Sequence, residues 1–254
     1  MSGVLKQITI KTPEEISVMQ EGGEKLNGIK KEIESAIKVG VNAMEIEKLA
    51  SKLIQDQGGR ASFAMVPNYQ WSTCVNVNEG LVHGVPKESV VFAKGDVVSV
   101  DVGIFYKGYH TDTSITVGLD LEGKMIHMLD IGKKALKKAI KKAKLGNRVY
   151  DISKAMQDTI ENGGYTPVKA LVGHGIGKSL HEEPQIPCFV QNTREKSPEI
   201  REGMVIAIEV MYAMGKEGIK IDEDGWTISM RDGKISALYE DTVAITAKGP
   251  IVLT

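Results

Sequence analysis

The sequence predicts an α+β fold built as two similar halves, and three observations carry that prediction. Two helix pairs, each closed by a double glycine, recur along the chain, the first ending at Gly58-Gly59 and the second at Gly163-Gly164. After each pair comes a strand that brings a carboxylate six residues behind a glycine, Asp101 behind Gly95 and Glu209 behind Gly203. Each half then carries a second β-branched stretch with an acid at its head, Asp112-Thr113-Ser114-Ile115-Thr116 and Glu240-Asp241-Thr242-Val243-Ala244-Ile245-Thr246. On this reading residues 1–254 form one domain with halves at approximately 12–120 and 121–250.

Composition is compatible with that plan and removes others. The 254 residues carry 32 Lys plus Arg against 33 Asp plus Glu, a net charge of −1, and 42% are hydrophobic. At roughly 150 residues per domain this is one large domain or two small ones, and collagen-like, disordered and disulfide-scaffold chains are excluded. Two cysteines, Cys74 and Cys188, make no disulfide framework. The start Met1-Ser2-Gly3-Val4-Leu5-Lys6 lacks the apolar core of a signal peptide, and even the apolar run Met204 to Met214 is broken by Glu209. The expected location is the cytoplasm, with no DNA and no membrane as partner, because a balanced charge leaves only local patches for polyanions.

In chain order, Thr12-Pro13-Glu14-Glu15 reads as a capping box with proline in the first turn, opening a helix with Ile16, Met19, Leu26 and Ile29 on one face to about Val39. Gly40 stops it, and Asn42-Ala43-Met44-Glu45 caps a second helix with Ile46, Leu49, Ala50 and Leu53 on one face. Asn78-Glu79-Gly80-Leu81-Val82-His83-Gly84-Val85-Pro86 reads as a turn fixed around His83. The second half repeats the helix pair, from about Gly123 to Lys144 and then from a cap at Asp151. His110 and His127 lie in stretches with no other chemical signal.

Four acids in two matched pairs suggest one centre. A pseudo-twofold axis between the halves would converge them, and carboxylates gathered without a counter-charge repel, so a cation is expected there. Four carboxylates suit divalent cations, and an added imidazole moves the preference from Mg or Ca toward Mn, Fe, Co or Zn. The imidazole is sought in Gly173-His174-Gly175-Ile176-Gly177-Lys178-Ser179-Leu180-His181-Glu182-Glu183-Pro184. This stretch is no phosphate-binding P-loop, since Val172 stands where that motif needs glycine, and no HExxH helix, since position 185 is Gln and Pro184 interrupts.

Together these pieces resemble the type I methionine aminopeptidases, metallopeptidases of the pita-bread fold. The resemblance rests on Asn78 to Pro86, on Asp101 and Asp112 eleven residues apart, on Gly173 to Pro184 continued by Gln185-Ile186-Pro187, on Glu209-Val210-Met211, on Asp224-Gly225-Trp226-Thr227, and on Tyr239-Glu240-Asp241-Thr242. It implies a curved, mainly antiparallel sheet with the helix pairs on its outer face. It implies Asp101, Asp112, His174, Glu209 and Glu240 as ligands of two divalent metal ions (Mn, Fe, Co or Zn), with Asp112 and Glu240 bridging. The implied reaction is removal of N-terminal methionine from nascent polypeptides when the next residue is small. A water shared by the two ions attacks, Glu209 acts as general base, His181 stabilises the tetrahedral intermediate and His83 contacts the scissile amide. The implied methionine pocket comprises Phe63, Val66, Tyr69, Cys74, Leu180 and Trp226, an apolar, sulfur-tolerant slot. Phe63 and Val66 stand where many bacterial members have a cysteine and an aromatic, and Val210 follows Glu209 where proline is usual.

Three further expectations follow. The chain begins Met1-Ser2, so it is its own substrate. The helix with Lys133, Lys134, Lys137, Lys138, Lys141, Lys142 and Lys144 sets a basic face against an apolar one of Ile131, Ala135, Leu136, Ala139, Ile140 and Ala143. That face is either plain solvated surface or a transient dock for ribosomal RNA. The proline-directed relatives of the fold carry a separate N-terminal domain, whereas 82 residues precede His83 here, and binding modules of the same fold lose metal ligands, whereas all five are present. A monomer is expected.

Overall fold

The computed structural model describes residues 7–254; the expected self-processing site Met1-Ser2 lies outside the described residues. Helix α1 (Pro13–Ala36) opens on the capping box: the Glu15 N–H donates to Thr12 Oγ1 at 3.3 Å and the Thr12 N–H to the Glu15 carboxylate at 2.9 Å. It ends three residues before Val39. Val39 is exposed, and Gly40, at φ +89°, gives its N–H to the Phe92 carbonyl at 2.8 Å, so the chain turns into its neighbour in place of another helical turn. Helix α2 (Ala43–Asp56) has the expected Asn42 and Glu45 box. Its buried stripe is Ala43, Ile46, Ala50 and Ile54 with Glu47 among them, while Leu49 and Leu53 are half-buried at the edge.

Helices α3 (Lys124–Lys142) and α4 (Val149–Asn162) form the second pair. Asp151 is not the cap of α4. The Val149 N–H is taken by the Pro198 carbonyl at 2.9 Å, which starts the helix earlier, and Asp151 stands in the first turn and accepts from the Arg148 N–H at 2.8 Å. In α3 the stripe Ala135, Leu136, Ala139 is buried, and Ile131 and Ile140 are half-buried beside it. No helix among the described residues is long and apolar enough to cross a membrane.

The strands are β1 (Arg60–Ala61), β2 (Thr73–Val77), β3 (Gly80–Val82), β4 (Val97–Tyr106) and β5 (Tyr109–Gly118), then β6 (Thr166–Pro167), β7 (Val172–Gly175), β8 (Glu182–Pro187) and β9 (Val205–Ala213), and finally β10 (Ile219–Ile221), β11 (Ile228–Met230), β12 (Ser236–Thr246) and β13 (Gly249–Val252). One ten-stranded sheet runs β1-β4-β5-β12-β9-β7-β8, with β2 on β4, β6 on β9 and β13 on β12, and all its pairings are antiparallel. A small sheet, β10-β11-β3, stands apart. The two halves meet at the β5–β12 seam, where Glu240 pairs with Ser114 and Asp241 with Thr113.

Alternation assigns the two faces. Val98, Val100, Val102 and Ile104 of β4 point into a core with α1 and α2, and Ile206, Ile208, Val210 and Tyr212 of β9 point into a core with α3 and α4. Truncating a fully buried side chain that the helices bring to these cores, such as Leu26 of α1 or Met156 of α4, removes about 2–5 kcal/mol of stability. The intervening residues face the other side, and there the acids lie. Gly95 and Gly203, both in the left-handed region at φ +92° and +82°, make the matching turns that lead into β4 and β9. The acids Asp112 and Glu240 fall inside β5 and β12 and do not head them, because pairing with β4 extends β5, and pairing with β9 extends β12, in the N-terminal direction.

Candidate metal centre

The register of the central strands gathers the candidate ligands. Asp101 of β4 stands opposite Ser114 of β5, Ser114 opposite Glu240 of β12, and Glu240 opposite Glu209 of β9. These positions form one row across four strands and share a face. Asp112 is two residues before Ser114, and His174 of β7 pairs with Ala207, two before Glu209, so both join the same face by the period of two. Five side chains distant in sequence therefore meet.

Asp112, His174 and Glu240 offer ligand atoms that all lie within 4.8 Å of one another. Glu209 Oε1 is 3.5 Å from His174 Nε2, on one flank. Asp101 lies on the other, beside Asp112. The His174 Nδ1 sits 2.9 Å from the Gly175 carbonyl, which can only accept, so Nδ1 carries the proton and Nε2 presents its lone pair to the cluster. Two carboxylate oxygens, Asp101 Oδ1 and Glu240 Oε1, are buried with no hydrogen-bond partner among the described residues.

Without a counter-charge these groups resist ionisation. Burial pushes the Asp101 carboxyl up to about 7, against hydrogen bonds from Asp112 and the Val102 N–H. Burial and then the Asp101 charge push Asp112 and Glu209 well up, and burial and then Asp112 do the same to Glu240. Burial, followed by the neighbouring His181, pushes His174 down to about 3, which leaves it neutral. Orphaned carboxylate oxygens, suppressed ionisation and a neutral imidazole with a free lone pair form a donor set that a divalent cation completes. Asp101, Asp112, His174, Glu209 and Glu240 fit such an ion.

Beside the cluster lies a cavity of about 280 Å³ lined by Phe63, Val66, Tyr69, Cys74, Val82, His83, Leu180, His181 and Trp226 together with the five ligand candidates. All thirteen residues singled out in the sequence thus border one space, and Val82 is the addition. The Tyr69 ring meets the rings of Trp71 and Trp226 edge-on at 5.1 and 5.0 Å, and its hydroxyl donates to the Thr73 carbonyl at 2.9 Å. Among the described residues, no lysine or arginine lines the cavity. The His181 ring meets the His174 ring edge-on at 4.5 Å. His83 follows β3 in the left-handed region at φ +57°, and burial and then His181 lower its basicity.

Several supporting residues were not legible. Glu47 accepts the Ser72 and Thr73 N–H groups at 2.7 and 2.9 Å and the Thr73 hydroxyl at 2.6 Å, fixing the start of β2 just before Cys74. An acid inside the apolar stripe of α2 was the available sign. His110 gives its backbone N–H to the Gly177 carbonyl at 2.8 Å, and its Nδ1 lies 2.9 Å from Ser62 Oγ, next to Phe63. Asp224 accepts the N–H groups of Trp226 and Thr227 at 3.1 and 2.8 Å, and also pairs with Lys87 at 2.8 Å. His127 does not line the cavity, and its Nδ1 lies 2.9 Å from the Tyr165 hydroxyl.

Comparison with known proteins agrees with this geometry. The sequence matches metallopeptidase family M24 over residues 17–247. It is 40% identical to the methionine aminopeptidase of Aquifex aeolicus over 86% of this chain and 87% of that one. It is 38% identical to methionine aminopeptidase 1 of Bacillus subtilis over 97% of this chain and 99% of the other. The crystal structure of a methionine aminopeptidase from Thermotoga maritima superposes with a TM-score of 0.94 at 36% identity, covering 98% of this chain and 99% of that one. A prolidase from Pyrococcus furiosus shares the fold alone, with a TM-score of 0.76 at 24% identity, covering 96% of this chain and 65% of that one. Four acids and an imidazole on one face of a pita-bread sheet, in a sequence matched along nearly its whole length, make this chain a member of metallopeptidase family M24, alongside its methionine aminopeptidases.

Proposed function

We propose that the chain is a metalloaminopeptidase that hydrolyses the N-terminal methionine from nascent polypeptides when the next residue is small. The observation that carries this reading is the junction, in one cavity, of an apolar aromatic-walled slot with a cluster built for divalent cations. Residues 1–254 act as one catalytic domain, since the ligand row crosses the seam between the halves. One chain supplies the whole cavity, which supports a monomer, and the substrate class points to the cytoplasm.

Two divalent ions among Mn, Fe, Co and Zn, which Asp101, Asp112, His174, Glu209 and Glu240 would hold, would supply Lewis acidity and a water deprotonated near neutral pH. Glu209 takes the proton of the attacking water and returns it to the leaving amine, a general base at the edge of the slot. His181 donates toward the carbonyl oxygen as negative charge develops there, and His83 contacts the scissile amide. The unbranched thioether of methionine fits between Phe63, Val66 and Leu180 on one side and Tyr69, Cys74 and Trp226 on the other, where sulfur–aromatic contacts add to burial.

The test is metal-stripped protein reloaded in turn with Mn, Fe, Co and Zn and assayed on Met-Gly-Met-Met, Met-Leu-Met-Met and Ala-Pro-Gly. Methionine release from the first peptide only is expected, falling about 10²–10⁴-fold in Glu209→Gln. Cleavage of Ala-Pro-Gly would transfer the chain to the proline-directed branch, and silence with every metal would overturn the reading.

The lysine face of α3, which ends at Lys142 and so leaves Lys144 just past the helix, is a dock for ribosomal RNA. Lys133, Lys134, Lys137, Lys138, Lys141, Lys142 and Lys144 are all exposed, and among the described residues none forms an ion pair. Salt-sensitive co-sedimentation with ribosomes should be lost when Lys137, Lys138 and Lys141 are changed to Glu, and unchanged co-sedimentation would remove this role.

A further inference from the structure

The His181 ring is placed by its backbone. No hydrogen bond holds the imidazole among the described residues, and its one ring contact is the edge of His174. What fixes it is the loop from Ile176 to Glu182, and that loop is tied down from the opposite end of the sequence. The Ile176 N–H donates to the Val205 carbonyl at 3.0 Å, and the Gly177 carbonyl accepts from the His110 N–H at 2.8 Å. Beyond that point the loop is closed by its own Gly177 N–H to Ser179 carbonyl bond at 3.1 Å, and its polar tie to the rest of the fold runs through Glu182. One oxygen of Glu182 accepts the Ser179 N–H at 3.1 Å, and the other accepts from Lys11 Nζ at 2.7 Å, across 171 positions of sequence.

Lys11 is unusual among the lysines. Its side chain is 2% exposed, against 11% for the Glu182 side chain. Its own N–H donates to the Gly203 carbonyl at 2.8 Å, at the turn into the strand of Glu209. The loop has a glycine where the lysine passes: a Cβ on Gly177 would stand 2.6 Å from Lys11 Cε and 2.8 Å from Glu182 Oε1. Burying an ammonium and a carboxylate brings little net stability over a well-packed apolar pair of similar size. An ion pair, unlike an apolar contact, fixes direction as well as distance.

We propose that Lys11 is a positioning residue for the reaction, acting through Glu182 to hold the 176–182 loop and with it the His181 imidazole against the metal centre. This rests on the aminopeptidase reading for its kinetic consequence but not for its geometry. Because His181 acts on charge that develops in the transition state, loosening it lowers kcat and leaves KM nearly unchanged. Leu180, in the same loop, is held separately by packing in the cluster of Phe63, Tyr69 and Cys74.

Steady-state kinetics on Met-Gly-Met-Met would compare wild type, Lys11→Met, Lys11→Arg, Glu182→Gln, His181→Ala and the double variant Lys11→Met/His181→Ala. The expected result is a fall in kcat of about tenfold or more in Lys11→Met and Glu182→Gln, with KM within about threefold, partial recovery in Lys11→Arg, and no further loss in the double variant beyond His181→Ala alone. NMR of the metal-free protein would follow the His181 ring Cε1–H resonance, assigned by its disappearance in His181→Ala, which should shift and broaden in Lys11→Met. A kcat for Lys11→Met within about twofold of wild type, or an equal loss on the His181→Ala background, would overturn the proposal. If Lys11→Met does not fold, Glu182→Gln carries the same comparison, since it keeps its shape and the Ser179 contact. Wild-type silence on the peptide would sink the aminopeptidase reading, whereas an unmoved His181 resonance in Lys11→Met would sink the latch.

Discussion

The two halves share one plan and use it differently. In the first, β4 and β5 are joined by a tight hairpin through Lys107 and Gly108, at φ +46° and +93°, the left-handed pair that suits the twist of neighbouring strands. In the second, β9 and β12 are separated by residues 214–235, which carry β10, β11 and Trp226. Register differs as well. Glu209 stands directly opposite Glu240, whereas Asp101 stands opposite Ser114, two residues past Asp112. The repeat therefore delivers two acids from each half but not in mirror positions, and the ligand imidazole comes from the second half alone. Symmetry in this fold concentrates negative charge, and departures from symmetry supply the histidine and one wall of the pocket.

The largest expected effect lies in the shared charge. In metal-free protein the Asp101 carboxyl sits near 7 against an ordinary 3.8, so between those values the folded chain holds a proton that the unfolded chain has released. Folded-state proton binding in excess makes stability fall as pH rises through this window, by on the order of 4 kcal/mol from pH 4 to pH 7 for the Asp101 step. Urea unfolding with a chelator present would measure it. Asp101→Asn in the first half and Glu209→Gln in the second should each flatten the slope, because burial is the leading cause in both. A metal-free chain equally stable at pH 5 and pH 7 would break the picture of one cluster drawn from two halves.

A second contrast concerns lysines. Lys30 of α1 reaches the seam, where its ammonium meets Asp241 at 2.9 Å and Thr113 Oγ1 at 3.1 Å, behind Glu240 and Asp112. Its counterpart helix α3 turns its lysines to solvent. Lys30→Met leaves the Asp241 charge, already pushed up by burial, with no cation, and about 3 kcal/mol of stability should go with it. Lys137→Met should change stability by less than about 0.5 kcal/mol. Thermal unfolding of both variants with metal bound reads the difference, and equal shifts would dissolve it.

Lys30 and Lys137 also mark where the sequence stops being legible. Each is a lysine in an amphipathic helix, and only the register of β5 against β12 decides that one finds a buried carboxylate. The helix starts at Pro13 and Ala43 were readable, because a capping box is a local contract between residues three apart. Asp101 and Glu209 were readable because each stands six residues behind a glycine in its half. Glu182, His110 and Lys11 were not, since their partners are set by how a loop folds back over 171 positions in the case of Lys11. The thirteen residues around the cavity were found mainly through family resemblance, and alternation alone would have left the carboxylates facing solvent.

The smallest contrast compares the second helix of each pair. Glu47 in α2 and Ser153 in α4 both stand two residues past the acid of their capping box, and both are buried. Glu47 fastens the start of β2 through three hydrogen bonds, and the Ser153 hydroxyl makes none among the described residues. Glu47→Gln would turn an amide N–H₂ toward backbone donors that need an acceptor, at a cost of about 1–3 kcal/mol. At about 2–4 °C per kcal/mol for a chain of this size, that is a visible drop in Tm, while Ser153→Ala should stay within about 0.5 kcal/mol. Because Thr73 adjoins Cys74 in the pocket, Glu47→Gln should also raise KM for Met-Gly-Met-Met more than it lowers kcat. A KM that does not move, with Tm lowered as expected, would separate the anchoring of β2 from the shape of the pocket and confine the role of Glu47 to stability.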